Sequence, residues 1–155
     1  MALLIAPSAL ITQYADRSPI ALMTGQGISE EDRRRHLMVS AAHYAKLLQG
    51  AEGVLGEGHA LLLQARSRLA HVMTLSRVPR SCANALPLWR VVIEQTRKCV
   101  PPNWPHLLPP LRGARDAAWY AGDEAASKTF SEALEEMLAV LRPSCDDVDG
   151  SVATS

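Results

Sequence analysis

Residues 29–77 read SEEDRRRHLMVSAAHYAKLLQGAEGVLGEGHALLLQARSRLAHVMTLSR, and this stretch decides the fold. Ser29 is placed to cap a helix, its hydroxyl accepting from the amide of Asp32, and Glu30, Glu31 and Asp32 put negative charge on the positive helix end. Leu37, Ala41, Tyr44 and Leu48 follow at helical spacing, with Met38 and Ala45 beside them. Gly50 is the expected end of this helix. A patch holding four of the chain's nine glycines, Gly50, Gly53, Gly56 and Gly58, then separates it from a second amphipathic run. That run extends from about Glu57 to Arg77, with Leu62, Leu69, Val72 and Met73 on one side and Pro79 as its stop.

Working outward, Asn84 is the expected cap of a third helix with Pro87 in its first turn. Leu88, Trp89, Val92, Ile93, Thr96, Cys99 and Val100 form its apolar face. Arg90, Glu94, Gln95, Arg97 and Lys98 form its wet face. Pro101, Pro102, Pro105, Pro109 and Pro110 predict an extended or polyproline connector. Helical patterning resumes from about Leu111 to Arg142, and Gly122-Asp123 can split it in two with Asp123 as the second cap. No segment alternates with period two. The fold class is therefore all-α. A single domain is expected at residues 29–142, a bundle of four to five helices with a Pro-rich connector before the last helix or helix pair. Residues 1–28 are expected as a partly ordered arm and residues 143–155 as a disordered acidic tail.

Residues 120–134 resemble the second half of a tetratricopeptide repeat in Gly122, Ala126, Phe130, Ala133 and Leu134. The glycine-to-alanine spacing is one residue short and no second copy is present, so the resemblance implies no family.

The 155 residues balance 16 Lys and Arg against 16 Asp and Glu, which argues against a broad nucleic-acid surface. Hydrophobic residues make up 48% of the chain, enough for a core without metals or disulfides. Three dispersed cysteines, Cys82, Cys99 and Cys145, read as free thiols of a reducing, cytoplasmic setting. No secretory leader or run of membrane-spanning length is evident.

No catalytic, metal or cofactor motif is present. His36 and His43 stand one heptad apart, about 10 Å along a helix, too far for one zinc ion. Asp147-Val148-Asp149-Gly150 lacks the first and twelfth ligands of a calcium loop. The contiguous basic run Arg33-Arg34-Arg35 and the strap tryptophan Trp104 are the candidate partner-binding residues. The first expectation is a non-enzymatic helical interaction module, an adaptor, dedicated chaperone or regulator that binds another protein or a second copy of itself. One alternative is an enzyme or cofactor-binding bundle that draws on His36, His43, Glu57, His59 and Cys82. Another is a DNA-binding regulator acting through Arg33–Arg35.

Overall fold

The computed structural model describes residues 28–101 and 104–142. The expected N-terminal arm (apart from Ile28) and the acidic tail lie outside the described residues. Those described form five α-helices and no strand: α1 (Glu30–Glu52), α2 (Ala60–Leu75), α3 (Pro79–Cys99), α4 (Leu108–Ala121) and α5 (Glu124–Leu141), with a 3-10 turn at Pro105–Leu107.

The start of α1 follows from its cap. The Ser29 hydroxyl accepts from the Asp32 amide at 3.1 Å and donates to the Asp32 carboxylate at 2.8 Å. The helix runs past Gly50 to Glu52, because Gly53 is the capping residue, and it does so with right-handed backbone. The α4–α5 break falls where expected. Gly122 takes φ 79°, the left-handed geometry that glycine adopts without a Cβ clash, and the Asp123 carboxylate accepts from the Ala126 amide at 3.0 Å.

Two expectations are corrected. The third helix starts at Pro79, not at Asn84. Proline at the first helical position loses no hydrogen bond there, so the residue that stops α2 also starts α3. Pro87 consequently lies inside α3, on its exposed side, while Cys82 and Ala85 on the same early turns are fully buried. The α2–α3 link shrinks to Ser76–Val78, turned by Arg77 at φ 55°. The Pro-rich connector is also shorter than expected. Pro105 opens the 3-10 turn, and Pro109 and Pro110 fit the first turn of α4, where amide hydrogens have no helical partner.

Each helix packs chiefly on its sequence neighbours, with α2 also meeting α4. Arg33 near the start of α1 donates to the Leu75 carbonyl at the end of α2, so these two run antiparallel. Arg77 in the α2–α3 turn sits over the Tyr120 ring near the end of α4. The bundle is thus an open row. Leu37, Tyr44, Leu48, Leu62, Ala65, Leu69 and Val72 form one core between α1 and α2. A larger core centres on Trp89 of α3 with Leu111, Ala114, Ala117 and Ala118 of α4 and Leu134 and Met137 of α5. Met73 and Leu88 touch both cores and join them.

Trp89 sets the spacing of α3 against α4. Its indole Nε1–H donates to the buried Thr74 hydroxyl at 3.0 Å, and its ring lies over Gly113, where any Cβ would collide with it. The absence of a side chain at Gly113 is what lets the two helices approach this closely.

Candidate docking groove

The residues singled out by sequence do not assemble into one site. Arg33 binds Glu30 through two hydrogen bonds, at 2.6 and 2.9 Å, while a third reaches Leu75. This bond to Arg33 holds the Glu30 carboxyl below its ordinary range and raises the arginine in turn. Arg34 pairs with Glu30 at 3.5 Å, and Arg35 with Glu31 and Asp32 at 3.5 and 3.7 Å. The three arginines are thus matched by the three acids of the turn before them, and Arg33 ties α1 to α2. Trp104 is exposed and stacks on His106, with ring centroids 5.8 Å apart. It is Leu107, 1% exposed, that seals the end of the core below it.

The raw material for a cofactor site is dispersed. His36 and His43 lie on the exposed side of α1. His59 caps α2, its Nδ1 accepting from the Leu61 amide at 3.2 Å. Cys82 is buried against the opposite end of α2, its thiol donating towards the Thr74 carbonyl, and burial pushes that thiol's pKa up. Glu57 and Glu52 approach the buried Arg66, at 3.7 and 3.4 Å, and so tie the glycine-rich link to α2. No group of three His, Cys, Asp or Glu able to hold a metal occurs among the described residues. No helix among them is long and apolar enough to cross a membrane.

The feature with recognition chemistry lies elsewhere. An open groove of about 520 Å³ runs between α3 and α5, lined by Arg90, Ile93, Glu94, Arg97, Lys98, Ala126, Thr129 and Phe130. Helical spacing builds both walls. Positions 90, 93, 94, 97 and 98 follow the i, i+3, i+4, i+7 pattern of one α3 face, and 126, 129 and 130 do the same on α5. Ile93, 4% exposed, supplies apolar floor, with Phe130 and Ala126 half-buried opposite. The rim is cationic. Lys98 pairs with Glu94 at 3.0 Å, whereas Arg90 and Arg97 are exposed and make no ion pair among the described residues. Their Cα atoms stand about 10 Å apart along the helix.

Reading the wet face of α3 as ordinary solvated surface missed this groove. The available signal was three basic residues at i, i+7 and i+8 with a single acid between them. Comparison with protein families, curated proteins and solved structures finds no match for the chain. The groove's own chemistry is therefore what bears on function. The groove thus combines an apolar floor with two separated guanidinium groups at its rim.

Proposed function

We propose that the protein is a non-enzymatic helical interaction module whose α3–α5 groove docks an acidic, amphipathic segment of another protein. The observation that carries this reading is the pair of exposed arginines, Arg90 and Arg97, which make no ion pair among the described residues and line the groove with Ile93 and Phe130. A groove this small suits weak, transient contact. The free thiols at Cys82 and Cys99 support a reducing, cytoplasmic setting. Arg33–Arg35 lend little to a nucleic-acid reading once their neighbouring acids are counted.

The test uses a labelled synthetic 14-residue helix-forming peptide with Glu and Leu on one face, read by fluorescence anisotropy. A Lys-for-Glu peptide and a duplex DNA of similar length serve as comparators. Binding of the acidic peptide alone is expected, weakening with salt and by roughly tenfold or more on Arg90→Glu with Arg97→Glu, since two exposed pairs become repulsions. Affinity unchanged by that double reversal, or preference for the DNA, refutes the reading.

A further inference from the structure

Among the described residues Trp119 is the most exposed tryptophan, at 70%. It stands on α4 with Arg112, Arg115 and Asp116 on the two turns before it. At 3.6 residues per turn the four share an arc of about 100° on the helix. Ala114 and Ala117 lie on the opposite side and have no exposed area, so the arc faces away from the core. Arg112 is exposed and makes no ion pair among the described residues. Arg115 donates from Nε and Nη2 to Asp116, at 2.9 and 2.8 Å, and both bonds land on Oδ1. Arg115 Nη1 and Asp116 Oδ2 make no hydrogen bond among the described residues.

We propose that the protein forms a two-fold dimer through this face, with α4 of one protomer antiparallel to α4 of its partner. A second copy is the occupant because the face complements itself. Across a two-fold axis, antiparallel helices oppose positions equidistant from that axis. With the axis between positions 115 and 116, Arg115 faces Asp116 of the partner subunit. The same register sets Trp119 against Arg112 of the partner subunit.

Each opposition matches chemistry left over in the single chain. Nη1 of Arg115 meets the free Oδ2 across the axis, so every guanidinium keeps its own carboxylate and reaches a second one. The guanidinium of Arg112 gains the face of an indole, a cation–π contact. No residue of the face lacks a counterpart, and no like charges meet. Moving the axis onto position 115 or position 116 would instead oppose two arginines or two aspartates. Tryptophan and arginine are also the side chains most often found at the energetic centre of interfaces.

Four residues a side fall well short of the roughly 20–30 of a standard interface, so the association is reversible. No residue lining the α3–α5 groove belongs to α4. The dimer therefore carries two open grooves, and it does not depend on what they bind.

Sedimentation equilibrium on the full chain, from micromolar to about millimolar concentration, tests the proposal. The parent is expected to approach the mass of two chains. Arg115→Asp and Asp116→Arg are each expected to weaken the dimer by roughly tenfold or more, because each opposes like charges twice across the axis. Mixed together, the two variants are expected to pair with each other, since both facing pairs are then opposite in charge. A single chain carrying both changes restores the pattern and is expected to dimerise like the parent. Trp119→Ala is expected to weaken the dimer while leaving the helical circular dichroism signal unchanged.

A parent that stays monomeric throughout overturns the proposal. So does a dimer indifferent to the two reversals, which would place the contact on another surface. Failure of the mixed variants to pair overturns it as well, since Arg115 and Asp116 would then not face each other.

Discussion

Replacing Gly113 with alanine should destabilise the protein, although alanine is the better helix former. The magnitude follows from Trp89. A Cβ on residue 113 would lie 2.6 and 2.8 Å from indole carbons Cε2 and Cη2, and closer still to Cζ2. The indole is 3% exposed and cannot swing into solvent without opening the core. Forcing a methyl group into such a contact costs roughly 1–3 kcal/mol. Moving the ring also breaks the 3.0 Å bond from its Nε1–H to the Thr74 hydroxyl and leaves that N–H without its acceptor, while Thr74 keeps its own bond to the Ala70 carbonyl. A buried polar group left without a partner adds about 1–3 kcal/mol, while the Gly-to-Ala gain in helix propensity returns about 1 kcal/mol. The net expectation is a loss of about 1–5 kcal/mol in urea unfolding, with a reduced near-ultraviolet tryptophan signal. Gly50→Ala is the counterpart. Gly50 lies within α1 with nothing near its would-be Cβ, so the same substitution should stabilise by about 0.5–1 kcal/mol. In a Trp89→Leu background the Gly113→Ala penalty should shrink to near zero or change sign. Full additivity of the two changes would refute the steric account.

Gly122→Ala should cost about 1–2 kcal/mol in the same assay, from the left-handed backbone alone, since nothing crowds the position. An unchanged unfolding midpoint would show that the turn relaxes freely. His71 is held below the ordinary histidine value of 6.5 by burial first and then by Arg68, so the folded state favours its neutral form. Because the unfolded chain binds that proton more readily, this contribution is fully present above pH 6.5 and is lost as the pH falls through the depressed folded value. His71→Gln should flatten stability against pH in that window, and a slope equal to the parent's would exclude His71 as its source.

Local chemistry made three helix ends legible, those at Ser29, Gly122 and Asp123, but not the ends expected at Gly50 and Asn84. Ser29, Gly122 and Asp123 act through side-chain or backbone geometry within three residues, and each sits where that geometry requires. Pro79 was ambiguous for a physical reason: proline ends one helix and opens the next by the same missing amide hydrogen, so Ser76–Val78 is a turn where a longer link was expected. The apolar faces of α1 and α2 were readable from Leu37, Tyr44, Leu48, Leu62 and Leu69, all buried. The groove was not readable. Contiguity drew attention to Arg33–Arg35, yet three acids one turn earlier neutralise that run. Arg90, Arg97 and Lys98 become a cluster only when wound onto α3, and the groove exists only because α5 lies beside it. That second condition depends on how α4 packs, which no local pattern encodes.

The packing of α4 explains why a groove lies between α3 and α5. Gly113, Ala114, Ala117 and Ala118 give α4 a surface of small residues, three of them with no exposed area at all. Small residues let both α3 and α5 settle close to α4, and so draw the two outer helices towards each other. They remain too far apart to interdigitate, as the principal packing runs α3 to α4 and α4 to α5. The gap is floored by the residues at the edge of the core, Ile93 and Phe130, and its rim falls on the wet face of α3. Core and groove are thus set by the same side chains. A change that thickened α4, as Gly113→Ala would, displaces Trp89 on the helix that carries Arg90. The effect on peptide binding should then exceed what a purely local core defect would give.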